Sequence, residues 1–130
     1  MIFPDTNTVI HYLKGRQPVV SRWLAESSAD LAIPSVVAYE IEFGTLKIGT
    51  RSRRTAVSGL LRNLLQVPFD DDAARTAAQI RFNLESRGLT IGPMDLLIAG
   101  TTLSRNAILA TNNTREFSRV EGLRLVDWTS

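Results

Sequence analysis

The sequence predicts an α/β domain, a parallel sheet of about four to five strands flanked by helices. Two patterns carry that expectation. Short apolar runs of strand length alternate with longer segments of helical apolar spacing, the order that builds a parallel sheet covered by helices. Four polar clusters, far apart in the chain, each place an acid close to such an apolar run. At 130 residues the chain (1–130) is expected to be one domain, and a chain of that size buries roughly two-thirds of its unfolded surface without staples. No internal repeat, linker or low-complexity segment interrupts it.

The first strand is Met1-Ile2-Phe3-Pro4, and Pro4, which has no N–H for a ladder, marks its end. Asp5 follows, and Thr6, Asn7 or Thr8 is placed to cap a helix through Leu13, stopped by Gly15. A second helix is predicted over Pro18 to Ser27, with Val19, Val20, Trp23 and Leu24 at helical spacing. Asp30-Leu31-Ala32-Ile33-Pro34 reads as the second strand, and Ser35 as a cap for the helix after it. In that helix Val36, Val37, Ile41, Phe43, Gly44 and Ile48 define an apolar stripe. Glu40 points with the stripe and Glu42 towards solvent. A carboxylate on a buried face is costly unless something pairs with it, and a metal ion is one such partner.

Arg51-Ser52-Arg53-Arg54 opens a further helix carried by Val57, Leu60, Leu61, Leu64 and Leu65, and Val67-Pro68-Phe69 reads as a brief strand. Asp70-Asp71-Asp72 resembles a metal cluster, but three consecutive acids at a helix start fan outwards, so capping of the long helix ending at Gly88 is favoured. Ala73, Ala74, Ala77 and Ala78 give that helix a smooth face for close packing or a subunit contact. In Ile91-Gly92-Pro93-Met94-Asp95-Leu96-Leu97-Ile98-Ala99-Gly100, Pro93 suits the first helical position, and Asp95 sits in the first turn, where the helix dipole favours negative charge. Ala107 to Ala110 is a buried strand ending in the polar run Thr111 to Phe117, and Leu123 to Val126 is the last strand, with Trp128 beyond it.

Composition removes many chemistries. No cysteine is present, which excludes disulfides, zinc–thiolate sites, thiol nucleophiles and iron–sulfur clusters. One histidine, His11, leaves no room for a multi-histidine metal site, and a surface or half-buried place on the first helix is expected for it. No apolar run approaches the roughly 20 residues of a membrane span, and the N-terminus lacks a signal-peptide pattern, so a cytoplasmic protein without a membrane role is expected. Net charge is +2, and thirteen of the fifteen cations are arginine, a balance that permits nucleic-acid binding without demanding it.

In open α/β sheets, ligand sites form beyond the carboxyl ends of strands, at the topological switch point. Asp5 and the Asn113-to-Glu116 run follow strands, while Glu40 and Asp95 lie on helices that could lean over the same crevice. Oxygen-only side chains without histidine or cysteine specify a hard cation, Mg²⁺ or Mn²⁺. Such an ion activates water and stabilises charge building on a phosphate under attack.

Asp5-Thr6-Asn7, Glu40-Ile41-Glu42-Phe43-Gly44, Ile91-Gly92-Pro93-Met94-Asp95 and Thr111-Asn112-Asn113-Thr114-Arg115-Glu116-Phe117 resemble the motif series of PIN-domain ribonucleases. More narrowly, they are similar to the VapC toxins of bacterial VapBC toxin–antitoxin pairs. The resemblance implies a PIN fold, Mg²⁺- or Mn²⁺-dependent endoribonuclease activity, a homodimer, and a heterotetramer or larger assembly with an inhibiting VapB-type antitoxin. Asp5, Glu40 and Asp95 match its catalytic acids. For the fourth acid some relatives have an aspartate at the place of Asn113, whereas others rely on the position of Glu116. Glu116 is preferred here as the fourth metal-binding acid, with Asn113 orienting a water and Thr6 and Thr111 as hydrogen-bonding neighbours. The Thr111-to-Phe117 run and Gly122-Leu123 are most similar to VapC toxins that cut initiator tRNA in the anticodon stem-loop.

Arg51, Arg53 and Arg54 suit either an RNA grip or a solvated helix start. Tyr12, Leu13, Val20, Trp23 and Leu24 suit either an antitoxin groove or core, and Trp23 and Trp128 are expected as core or interface anchors. Three other classes compete. A phosphoacceptor receiver domain needs a lysine near its fourth or fifth strand, and none follows Lys47. A non-catalytic RNA-binding domain would make the acids dispensable, and a structure-specific DNA nuclease would use the same site on another polymer.

Overall fold

The computed structural model describes residues 1–130. In chain order the elements are β1 (Ile2–Pro4), α1 (Thr6–Leu13), α2 (Val19–Ala25), β2 (Ala32–Pro34), α3 (Ser35–Ile48), α4 (Arg51–Asn63) and β3 (Leu65–Val67). There follow α5 (Asp71–Ser86), α6 (Pro93–Ser104), β4 (Ile108–Ala110), α7 (Thr114–Phe117) and β5 (Arg124–Val126). Every strand pair is parallel, as the alternation predicts.

The largest continuous ladder is smaller than expected. It holds three strands, β1-β4-β5, beside a two-stranded ladder β2-β3, and the two meet through one bridge, Ile2 to Leu31. Pro4 supplies a reason. Met1 and Asp5 bond to β4, through Ile108 N–H to the Met1 carbonyl and Asp5 N–H to the Ala110 carbonyl. Alternation along a parallel strand then turns Ile2 and Pro4 towards β2, and Pro4 has no N–H to donate there. Taken through the bridge, the strands run 3-2-1-4-5, so the order reverses between β1 and β4. Asp5 and Thr111 are the residues that follow those two strands.

Several local expectations are corrected. The cap of α1 is Asp5 rather than Thr6, Asn7 or Thr8, and its side chain accepts from Thr8 N–H. Ser35 is the first residue of α3 and makes no capping bond. The third strand is Leu65–Val67, ending before Pro68 instead of including Pro68 and Phe69. Along α3, Val36, Val37 and Ile41 are buried, whereas Phe43 and Ile48 face solvent. The apolar surface of this helix therefore wraps wider than one core-facing stripe.

One apolar cluster runs through the molecule, from Val9, Ile33 and Val37 to Ile98, Leu109 and Phe117. Trp23 belongs to it, stacked on Tyr12 at 4.2 Å between ring centroids and tilted against Trp128 at 6.0 Å. Leu24 points to solvent, away from that cluster. Asp70 caps α5 through Ala73 N–H and pairs with Arg105, so the aspartate triplet opens a helix and stands apart from the other acids. Ala73 and Ala77 form the close contact expected of the alanine face, while Ala74 and Ala78 are exposed. Gly100 on α6 is what lets α5 in: a Cβ there would lie 2.6 Å from the Ala77 Cβ and 3.0 Å from the Ala73 carbonyl.

Candidate active site

Asp5 is set by three constraints. Its backbone N–H donates to the Ala110 carbonyl at 2.9 Å, tying the end of β1 to the end of β4. Its Oδ1 accepts from Thr8 N–H at 2.9 Å, the ordinary bond of an N-cap. Its Oδ2 accepts from the Thr111 hydroxyl at 2.6 Å, across the point where strand order reverses. Asp5 and Thr111 are both buried, and the carboxylate still has lone pairs free on each oxygen.

From Thr111 the polar connections continue. Its Oγ1 accepts from Asn113 N–H at 2.9 Å, and the Asn113 amide Nδ2 donates to Glu116 Oε2 at 3.2 Å. The alternatives for the fourth acid are thus bonded partners, with Asn113 aiming the Glu116 carboxylate. On the other side, Glu40 is half-buried in the middle of α3, and its Oε1 accepts from the Thr6 hydroxyl at 2.5 Å. Thr6 begins α1 directly after Asp5, so α1 carries both the first acid and the group that holds Glu40.

Asp95, on α6, lies near enough to the other three acids for their charges to act on it. Gly92 caps that helix, Pro93 is its first residue, and Asp95 lies in its first turn, as the sequence predicts. A Cβ on Gly92 would lie 3.6 Å from Asp95 Oδ2, so the turn is close around the carboxylate. Burial pushes the Asp95 pKa up to about 6, and the negative charges of Asp5, Glu40 and Glu116 add to the rise. The helix dipole alone would act in the opposite sense.

Four carboxylates from four separate stretches therefore share one electrostatic environment. None of them forms an ion pair, the three in the structure being Arg75–Asp72, Arg81–Glu85 and Arg105–Asp70. They do not close into a ligand set: no three acids come together as a group that could hold a metal ion. The hydrogen bonds from Thr6, Thr8, Thr111 and Asn113 fix the present directions of Glu40, Asp5 and Glu116. A hard divalent cation suits the donor chemistry, since every candidate ligand is a carboxylate oxygen and the cluster carries uncompensated negative charge. Thr8 is a site residue that reading the sequence missed; it also bonds the Ala110 carbonyl through Oγ1 at 3.0 Å. Its signal is the Asp-x-x-Thr spacing of a cap, masked by three neighbouring residues that also cap well. His11 is half-buried on α1, as expected.

A parallel sheet with acids gathered where its strand order reverses is the form of a PIN domain. Residues 2–123 match the family described as PIN domain, and the chain belongs to that family. Within it the likeness is to VapC proteins. The chain is 37% identical over 126 residues to the tRNA(fMet)-specific endonuclease VapC of Shigella flexneri, covering 96% of each. It is 34% identical over 125 residues to the protein of the same name from Salmonella typhimurium, covering 95% of each. Among solved structures it resembles DNA-bound VapBC from Salmonella typhimurium, with TM-score 0.87, 32% identity, and 98% and 97% of the two chains covered. VapBC2 from Rickettsia felis, bound to a promoter DNA fragment, also gives TM-score 0.87, at 29% identity over 98% and 99% of the chains.

Proposed function

We propose that the chain is an endoribonuclease toxin that hydrolyses RNA phosphodiester bonds with Mg²⁺ or Mn²⁺. The observation that carries this reading is the set of four unpaired acids, Asp5, Glu40, Asp95 and Glu116, around the β1–β4 switch point. Asp5 and Asp95 would hold the ion, with Glu40 and Glu116 as further oxygen ligands or partners of its waters. When bound, such an ion supplies an activated water and offsets the charge that builds on the phosphate in an in-line displacement. The chain's own residues do the rest. Thr111 and Thr8 fix the Asp5 carboxylate, Thr6 fixes Glu40, and Asn113 directs Glu116. Attack by water on phosphorus leaves a 5′-phosphate and a 3′-hydroxyl.

Initiator tRNA is the substrate suggested by the names of the Shigella and Salmonella relatives, and the anticodon stem-loop is the target that the resemblance of the Thr111-to-Phe117 run implies. A VapB-type antitoxin is the partner suggested by the VapBC structures. Its seat would be the groove of about 550 Å³ between α1, α2 and α4, walled by Tyr12, Leu13, Val20, Trp23, Leu60 and Leu64. A homodimer would use the face of α3 on which Tyr39, Phe43 and Leu46 are exposed, and the heterotetramer or larger complex would combine both surfaces. No helix is long and apolar enough to cross a membrane.

The test is cleavage of purified initiator tRNA, elongator tRNA and flap DNA with Mg²⁺, Mn²⁺ or a chelator. Metal-dependent cutting of initiator tRNA, lost in Asp5→Asn and Asp95→Asn, is expected. Cutting undiminished in either variant would reject the site. Preference for flap DNA would favour a DNA nuclease, and tight RNA binding without cutting would favour a non-catalytic domain.

A further inference from the structure

Behind Glu40, on the side of α3 that meets the end of α1 and the start of α4, lies a narrow cleft of about 150 Å³. Its walls include Ile10, Ile41 and Ile48, and its polar groups include Glu40, Lys14 and Arg53. It shares one residue with the acidic site, Glu40, whose carboxylate is held by Thr6. Lys14, which caps the end of α1, and Arg53, on α4, are far apart in sequence yet line the same small space. Neither forms an ion pair, even with Glu40 in the same cleft. Gly44, one turn beyond Glu40, also lines it, and a Cβ added there would meet nothing within 4 Å. A glycine in the middle of a helix costs stability relative to alanine. Packing does not require this one, and its bare Cα leaves that part of the cleft wall without a side chain.

We infer that this cleft binds a backbone phosphate of the RNA, with Lys14 and Arg53 as its cations, beside the phosphate presented to the acids. The inference rests on the ribonuclease reading. Its physical basis is that four carboxylates repel a polyanion, so the strand needs cations close to them to be held in register. Two cationic residues lining a space too small for a drug-sized ligand, which takes roughly 300 Å³ or more, suit a phosphate and its sugar better than a protein helix. Lys14 and Arg53 are positioning residues in this scheme; they hold the strand and touch no reacting atom.

The experiment measures binding of a fluorescent anticodon stem-loop RNA in chelator, so that nothing is cut, across a series of salt concentrations. Each phosphate contact removed flattens the log K against log salt slope by about 0.7 to 0.9. Lys14→Ala/Arg53→Ala removes the one phosphate contact and is therefore expected to flatten it by roughly 0.7 to 0.9 and to weaken binding at least tenfold at low salt. Lys14→Arg should keep the wild-type slope, and Arg75→Ala, an exposed arginine on α5, should change nothing. Should the double variant melt early, each single alanine, flattening the slope by half as much, answers the same question. A slope equal to that of the wild type overturns the inference, as does RNA binding that is intact while binding of an acidic antitoxin peptide is lost. Wild-type protein that binds with the expected slope but cuts no RNA rejects the ribonuclease reading and leaves the cleft assignment standing; normal cutting by a double variant with unchanged slope does the reverse.

Discussion

Replacing Asp95 by asparagine should stabilise the protein while abolishing its activity, and the size of the gain can be worked out. The folded pKa is about 6 against 3.8 for the free group. At about 1.36 kcal/mol per unit, the charged form costs at most about 3 kcal/mol in the folded state. Asp95 is partly exposed to water, and screening reduces the figure to roughly 1–2 kcal/mol. A raised carboxylate pKa means that the folded state binds the proton more tightly than the unfolded state. Wild-type stability is therefore fullest below about pH 4, falls as pH rises to about 6, and stays reduced above it. Asparagine carries no charge at any pH and escapes the loss. With an unfolding entropy of about 2.1 cal/mol/K per residue, the variant should melt about 4–7 °C above wild type at pH 7.5 in chelator. Near pH 4 the difference should almost vanish. Adding Mn²⁺ should raise the melting temperature of the wild type alone, because binding to the folded state stabilises it by mass action. Paired melting curves by circular dichroism across pH 4–8 decide the matter. A gap that ignores pH, or a variant that melts below wild type at pH 7.5, would refute the reasoning about the shared charge.

Two further outcomes follow from single contacts. Thr111→Val removes the hydroxyl that donates to Asp5 and accepts from Asn113 N–H, both in a buried setting. The unpaired groups should cost roughly 1–3 kcal/mol in chemical denaturation, and kcat for RNA cleavage should fall with them. Gly100→Ala should destabilise by about 1–3 kcal/mol despite alanine's better helix propensity, because its methyl would overlap Ala77; a rise in the denaturation midpoint would contradict the close α5–α6 contact.

The elements themselves were legible because each is specified locally. The Pro93–Asp95 helix start, the α5 cap at Asp70 and the glycine stops at Gly15 and Gly88 all depend on residues within one turn. Errors fell where neighbours compete, as among Asp5, Thr6, Asn7 and Thr8 for one cap. They also fell where the outcome depends on a distant chain, as at Phe43 and Ile48, whose spacing suits a core face that the fold does not cover.

By itself, then, the sequence determined the alternation of strands and helices, the absence of sulfur and multi-histidine chemistry, and which acids were candidates. Only the tertiary structure decided that the sheet parts at Pro4, that strand order reverses between β1 and β4, and that Thr111 reaches Asp5 across that reversal. It also decided that Lys14 and Arg53 share a cleft with Glu40. The division has a physical cause. Caps, turns and amphipathic spacing act over a few residues, whereas a site made of four stretches exists only once the chain has brought them into one electrostatic field.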